Sequence, residues 1–166
     1  MIVSNASPVI YLSKLTKLNF LKQKFDKVLI PKKAYEEIAL GRNSFPEVNK
    51  IEEAIKEGWM SVIEVNDKEK DKIKTAFQNL SGGELESIAL SKYKNLPLLL
   101  DDSEARRIAE TLQINVHGTL FVILKAFENK LIDKEEAIKL IDKLIGEGFR
   151  ISVELYSQLI NELKSS

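Results

Sequence analysis

The chain alternates short apolar segments with longer segments of helical periodicity, and this alternation limits the fold more than any other feature. Five segments have the length and apolar character of buried strands: residues 2–4, 28–30, 61–65, 97–100 and 114–116. Strands that are apolar along most of their length are typical of a parallel sheet covered on both faces by helices. The sequence therefore predicts an α/β fold around a parallel sheet.

The segments between these strands carry apolar residues at helical spacing. We expect Ser7 to cap the first helix, with Pro8 at its first position. Further helices are predicted directly after residue 102 and over residues 32–40, 46–57, 67–80, 84–93, 119–129, 134–145 and 153–164, with a short extra strand at 149–151. No repeat or linker interrupts the pattern. Residues 1–166 are therefore predicted to form one domain, with the helices of 134–164 packed on it.

Composition narrows the classes of function. Lys and Arg number 25, and so do Asp and Glu, so no net field draws the chain onto nucleic acid. A polyanion would need a local patch, and the candidates, most of which also fit a salt-bridged surface, are Lys22, Lys24, Lys27, Lys32, Lys33, Arg42, Arg106 and Arg107. The lack of cysteine excludes disulfides and thiolate metal sites. Without a membrane-length apolar run or a signal-peptide pattern, we expect a cytoplasmic protein with no membrane partner.

Polar residues follow the predicted strands at one edge of the sheet. Right-handed crossovers bring the carboxyl ends of parallel strands to the same edge, where ligands bind in open α/β sheets. Asp101 and Asp102 directly follow the apolar fourth strand, and the same edge is expected to gather Asn5, Ser7, Glu36, Glu37, Glu84, Glu86, His117 and Thr119. Carboxylates and hydroxyls without cysteine or paired histidine suit Mg²⁺ or Mn²⁺. Such ions support phosphodiester hydrolysis.

The acidic residues at helix starts also have a structural explanation. Ser81 and Glu84 have the spacing of a capping box, so Glu84 is equally well explained as part of its own helix start. One of Asp101, Asp102 and Ser103 is expected to cap the helix that follows the fourth strand.

The remaining candidates have structural alternatives too. Glu36 and Glu37 fit an exposed helix surface. The single histidine, His117, lies in a tight turn, where a histidine is more often structural than a general base. Arg106 fits a salt bridge or a helix-surface contact, and its closeness to Asp101 keeps a phosphate contact open.

The order of these motifs resembles the PIN-domain proteins of the VapC-type toxin group, in the branch that opens with a Val-Ser-Asn/Asp-x-Ser-Pro pattern. The matching segments are residues 2–10 (IVSNASPVI), 30–31 with 35–38 (IP and YEEI), 83–90 (GELESIAL), 100–102 with 105–106 (LDD and AR) and 118–120 (GTL). Each motif alone is weakly specific. Together they follow the family's order from residue 2 to about residue 131, which is most of the chain.

The resemblance implies a three-layer α/β/α sandwich with a central parallel sheet of about five strands. It also implies a metal-dependent endoribonuclease that acts on single-stranded RNA, as the toxin of a toxin–antitoxin pair. The family's acidic quartet, which holds one or two Mg²⁺ or Mn²⁺ ions, falls here on Asn5, Glu37, Glu84 and Asp101. Further site candidates are Asp102 and Glu86 as neighbouring ligands, Ser7 and Thr119 as supporting hydroxyls, and Arg106, Lys32 and Lys33 as RNA contacts. A homodimer and a small antitoxin are the implied protein partners.

Asn5 departs from the family pattern, which usually has aspartate at this position. An amide oxygen can bind Mg²⁺ but brings no charge, so the cation should bind more weakly. A second hypothesis is therefore a PIN-fold binding module with weakened catalysis that acts through RNA or protein partners. A nucleotide-binding protein of flavodoxin-like shape is a weaker third hypothesis, because no glycine-rich phosphate loop follows any predicted strand.

Overall fold

A computed structural model describes residues 1–41 and 47–165. In this part of the chain, one sheet is formed by β1 (Ile2–Ser4), β2 (Val28–Pro31), β3 (Met60–Ile63), β4 (Leu98–Leu99) and β5 (Val116–His117). All the strand pairs are parallel, and the spatial order is β3-β2-β1-β4-β5. Helices cover both faces, so the predicted three-layer α/β/α sandwich is confirmed. Each strand overlaps the segment predicted for it.

Most of the predicted helices begin at or near the expected residue. The described helices are α1 (Ala6–Lys14), α2 (Asn19–Phe25), α3 (Lys32–Leu40), α4 (Val48–Lys56), α5 (Asp67–Ala76), α6 (Gly82–Lys94), α7 (Ser103–Thr111), α8 (Thr119–Glu128), α9 (Lys134–Gly146) and α10 (Val153–Ser165). The predicted helix start at residue 46 lies outside the described residues, and α2 has no predicted counterpart. Within residues 1–41 and 47–165, no helix combines the length and apolar character needed to cross a membrane.

The predicted cap of α1 is wrong by two residues. The helix begins at Ala6, so Asn5 holds the N-cap position and Ser7 is the second helical residue. The chain enters this helix directly from the end of β1. Pro8 is tolerated in the first turn because the first N–H groups of a helix have no intrahelical partner, so the missing donor costs little.

Residues 149–151 do not form the predicted extra strand. They follow a turn that ends α9, in which Gly148 has a φ of +94° and the Phe149 N–H donates to Leu144 O at 3.2 Å. The Phe149 ring packs edge-to-face against Tyr11, with 5.4 Å between ring centroids. The apolar residues here anchor the end of a helix and pair with no strand.

The sheet is buried on both faces because successive strand residues point into two different cores. Ile2 and Ile30 lie in one core with α1, α2, α3, α4, α8 and α9, whereas Val3 and Leu29 lie in the other with α5, α6 and α7. The strands are therefore apolar along most of their length, as the sequence pattern indicated. The C-terminal helices add to the first core, where Leu144 of α9 is fully buried and Leu163 of α10 is nearly so.

Candidate active site at the carboxyl edge of the sheet

Parallel pairing brings the carboxyl ends of the strands to one side of the molecule, here called the carboxyl edge. Asn5 follows β1 and Asp101 follows β4. Thr119 comes two residues after the end of β5 and opens α8. Glu37 lies one turn into α3, which begins directly after β2, and α6 packs against both α3 and β1. These elements therefore place Asn5, Glu37, Asp101 and Thr119 on this side of the sheet.

Asp101 is the most firmly positioned acid of the edge. Its Oδ1 accepts the backbone N–H of Thr119 at 2.7 Å, and its Oδ2 accepts the Thr119 hydroxyl at 2.7 Å. Burial raises the pKa of the Asp101 carboxyl, although the two hydrogen bonds and the nearby charge of Arg106 act in the opposite direction. The two bonds thus fix the orientation of the carboxyl. They do not fully offset the free energy that the charged form loses when it is removed from water. Thr119, expected as a supporting hydroxyl, contacts the acid directly and is fully buried.

Gly118 permits this arrangement. A Cβ at this position would lie 3.0 Å from Asp101 Oδ1 and 3.2 Å from Arg106 Nη1, closer than ordinary contacts. The guanidinium of Arg106 and the Asp101 carboxyl therefore both approach the backbone at Gly118. Tyr11 lies near the same carboxyl: burial, together with the charge of Asp101, raises the pKa of its phenol.

Asn5 is buried, with 7% of its surface exposed. It occupies the N-cap position of α1, yet its side chain makes no capping hydrogen bond. Its Oδ1 accepts the hydroxyl of Ser87 from α6 at 3.4 Å, near the long limit for such a bond. The amide oxygen is therefore a buried acceptor with one weak partner in the described part of the chain.

Glu37 reaches from α3 to the start of α6. Its Oε1 accepts the backbone N–H of Gly83 at 3.2 Å. A Cβ at Gly83 would overlap Oε1 and lie 2.9 Å from Glu37 Cδ, so only glycine leaves room for this approach. Burial raises the pKa of the Glu37 carboxyl, and the charge of Glu84 adds to this effect. Glu37 and Glu84 are thus close enough to repel each other.

Glu84 forms the capping box that its spacing indicated. Its Oε2 accepts the Ser81 N–H at 2.8 Å, while its own N–H donates to the Ser81 hydroxyl at 3.3 Å. The structural explanation of Glu84 is therefore confirmed. Its role as a metal ligand stays a prediction.

Two neighbouring acids also have structural partners. Glu86 is 5% exposed and accepts the Lys33 N–H at 2.9 Å, and its other oxygen is paired with Lys70 at 3.4 Å. It therefore fixes the start of α3 against α6. Asp102 caps α7, because its Oδ1 accepts the N–H of Ala105 at 2.8 Å.

Two of the three residues predicted to contact RNA form ion pairs with nearby glutamates. Lys32 is paired with Glu64 at 3.1 Å, and Lys33 is paired with Glu36 at 2.7 Å. Arg106 forms no ion pair within the described residues. Arg42 of the proposed basic patch lies outside them.

The donors at the edge suit a hard divalent cation in chemistry, but they do not form a preassembled cage. Within residues 1–41 and 47–165, no three or more His, Cys, Asp or Glu side chains lie close enough to hold a metal ion. Mg²⁺ is commonly held by only one or two carboxylates, with water and substrate phosphate completing its shell. The raised pKa of both Asp101 and Glu37 fits such a site, because a cation would stabilise their charged forms.

The ring pair of His117 and Phe121 is a feature that the sequence analysis missed. Their centroids are 3.8 Å apart and their planes differ by 12°. Burial lowers the pKa of the His117 imidazole, and so do the positive charges of Arg106, Lys125 and Lys24. The spacing of four residues across the junction of β5 and α8 was the available signal, but it does not reveal the stacking.

Comparison with protein families identifies the chain. A family model described as a PIN domain matches residues 1–165. The chain belongs to the PIN-domain family. This PIN domain is similar to a chain in the crystal structure of VapBC2 from Rickettsia felis bound to a DNA fragment from their promoter, with a TM-score of 0.51 and 12% identity. The match covers 71% of this PIN domain and 98% of that chain, and at this identity it shows a shared fold. Comparison with curated proteins gave no significant match.

These findings confirm the predicted family and the predicted fold. The PIN-domain assignment spans the segments from which the resemblance was drawn, and it continues through α10. The roles of the individual site residues stay predictions.

Proposed function

We propose that this PIN domain is a VapC-type toxin nuclease that hydrolyses phosphodiester bonds of single-stranded RNA with bound Mg²⁺ or Mn²⁺. The observation that carries the proposal is the half-buried Asp101, whose carboxyl is held by two hydrogen bonds from Thr119 at the carboxyl edge and has a raised pKa. A half-buried acid that is fixed in orientation and lacks a salt bridge among the described residues is a favourable ligand for a cation.

Asp101 would supply the principal ligand, Asn5 an uncharged oxygen, and Glu37 a second carboxylate. When bound, the cation supplies charge neutralisation at the phosphate and activation of water. Thr119 holds the Asp101 oxygens in place, and Gly83 allows the Glu37 carboxyl to approach. In the reaction a water oxygen bonds to phosphorus, the bond to the leaving ribose oxygen breaks, and that oxygen takes up a proton.

A small antitoxin is the proposed protein partner, and a homodimer is the proposed assembly, acting in the cytoplasm. The similar chain from Rickettsia felis belongs to a VapBC2 complex, which supports a partner of the antitoxin type.

A binding module with weakened catalysis is the second candidate. Two observations favour it: Asn5 contributes no charge, and the Glu84 carboxylate is already engaged by the Ser81 N–H in a capping box. In this case the protein would bind RNA or a partner without cutting it.

Calorimetry with Mn²⁺ at neutral pH separates the candidates. We expect wild-type binding to be lost in Asp101→Ala and retained in Asp71→Asn, a matched control whose carboxylate is exposed on α5. Wild-type protein should also cut varied single-stranded RNAs, and Asn5→Asp should bind Mn²⁺ more tightly. If wild type leaves every RNA uncut while Asn5→Asp cuts, native nuclease function is wrong and the binding module is favoured.

A further inference from the structure

Three cations act on the imidazole of a stacked ring pair, and the roles proposed above do not use this group as a unit. The rings belong to His117 and Phe121, and the cations belong to Lys24, Arg106 and Lys125. We call this group the His117 subsite. It draws residues from α2, α7, α8 and the end of β5.

The ring pair has the geometry of a stacked base step. The centroids are 3.8 Å apart with planes 12° from parallel, and both rings are only partly buried. The ammonium of Lys125 lies 5.5 Å from the Phe121 centroid, within cation–π range. Lowering of its pKa keeps the His117 imidazole neutral at physiological pH. A neutral flat ring is a suitable surface for a nucleobase.

The cations give the subsite a local positive charge in a chain whose net charge is zero. Lys24 and Arg106 form no ion pair among the described residues, whereas Lys125 is paired with Glu128. Lys24 comes from α2, which packs against α8, so its charge reaches His117 from another part of the chain. Two unpaired cations beside an aromatic surface are the combination that single-strand binders use for phosphates and bases.

The subsite also lies next to the proposed reaction centre. A Cβ at Gly118 would meet both Asp101 Oδ1 and Arg106 Nη1, so the guanidinium and the acid border the same backbone. His117 precedes this glycine and Thr119 follows it. A nucleotide held at His117 would therefore place its adjoining phosphate close to Asp101.

We propose that the His117 subsite binds one nucleotide of single-stranded RNA, with an unpaired base stacked on the His117–Phe121 pair and flanking phosphates held by Arg106 and Lys24. The inference rests on the proposed function for the identity of the polymer. It adds the residues that position the strand, and Lys24 is one that no motif indicated.

Binding of a short single-stranded RNA carrying 2-aminopurine, measured in EDTA to prevent cation-dependent cutting, tests the subsite. His117→Leu removes the aromatic ring and keeps an apolar side chain, whereas His117→Phe keeps a ring. We expect His117→Leu to weaken binding by at least about fivefold and to abolish the fluorescence quenching caused by stacking. His117→Phe should retain both. Duplex RNA of the same sequence should show no dependence on this position.

Salt dependence tests the cations. Lys24→Gln and Arg106→Gln should each reduce the slope of log affinity against log salt by about 0.7, the value for one phosphate contact on a single strand. Lys139→Gln, an exposed lysine of α9, is the matched control and should leave the slope unchanged. Wild-type protein that does not bind the RNA, or His117→Leu that binds as tightly as wild type, would overturn the inference.

Cleavage with Mn²⁺ is measured separately, so the two proposals can fail independently. If the variants change RNA binding as expected but wild type cuts no RNA, the nuclease proposal is overturned and the subsite proposal stands. Cutting by wild type together with unchanged binding by His117→Leu keeps the nuclease and overturns the subsite.

Discussion

Replacing Asp101 with asparagine should stabilise the fold at neutral pH while removing the proposed cation ligand. Both hydrogen bonds can be kept: the asparagine Oδ1 can accept the Thr119 N–H, and its amide can donate to the Thr119 hydroxyl, which also accepts. What the substitution removes is the burial of a charge. The raised pKa of Asp101 means that the folded state favours the neutral side chain.

The magnitude follows from two opposing energies. Moving an ion into the protein costs several kcal/mol even after relaxation, and each hydrogen bond to a charged acceptor returns about 1.5–3 kcal/mol. The direction of the pKa shift shows that the two bonds do not repay the whole cost. We therefore expect Asp101→Asn to raise the free energy of unfolding by about 1–2 kcal/mol, or Tm by about 2–8 °C for a chain of this length.

The stability that Asp101→Asn gains over wild type should depend on pH. Below the ordinary carboxyl pKa of 3.8, Asp101 is protonated in both folded and unfolded chains and costs nothing. As the pH rises above that value, the unfolded chain ionises first, so the wild type loses stability until the raised pKa of the folded state is passed. The advantage of asparagine should appear above pH 3.8, grow with pH and then level off.

Urea denaturation of both proteins between pH 4 and pH 8 measures this difference. Asp102→Asn is the matched control, because asparagine is also a good N-cap and the neighbouring carboxylate is exposed. It should stay within about 0.5 kcal/mol of wild type. The reasoning is refuted if Asp101→Asn is less stable than wild type at pH 7, or if its advantage is the same at every pH.

Two substitutions test other parts of the molecule. Gly83→Ala should change the unfolding free energy by less than about 1 kcal/mol, because the added methyl displaces only the flexible end of Glu37. The affinity for Mn²⁺, measured by calorimetry, should nevertheless fall. Gly82→Ala, whose Cβ would meet only ordinary contacts, is its control, and equal Mn²⁺ affinity in both variants would contradict the role of Glu37. Leu144→Ala in α9 should lower the unfolding free energy by about 2–5 kcal/mol in urea titration. The control Leu155→Ala, at an exposed position of α10, should not lower the unfolding free energy by this amount. Similar losses in both variants would contradict the placement of Leu144 in the core of the domain.

The strands and the edge could be predicted from the sequence because both depend on local patterns. Apolar segments such as 97–100 are short and buried on both faces, so their position and parallel pairing follow from composition alone. Asp102 was a credible cap because capping is decided within four residues. The presence of acids where strands end therefore needed no tertiary information.

The partners of these acids could not be predicted, because they come from distant segments. Thr119 reaches Asp101 across the β4–β5 pair, and the 17 intervening residues carry no signal of the hydrogen bonds. Lys24 was named among the candidate cations, but its place near His117 could not be predicted, because it lies in α2, a seven-residue helix too short for a clear periodic pattern. The prediction that residues 1–166 form a single domain stays a prediction.

The bond between Asp101 and the Thr119 N–H has an evolutionary consequence. The N-cap residue of α8, Gly118, has no side chain to satisfy the first N–H groups of the helix, and Asp101 serves one of them from another strand. Selection for a stable α8 would therefore retain a side-chain acceptor at position 101, which aspartate and asparagine both supply. Asn5 carries no comparable duty, since its side chain caps nothing. Among relatives, position 5 should accordingly vary more freely in residue type, whereas position 101 should keep a side chain that can accept the helix N–H.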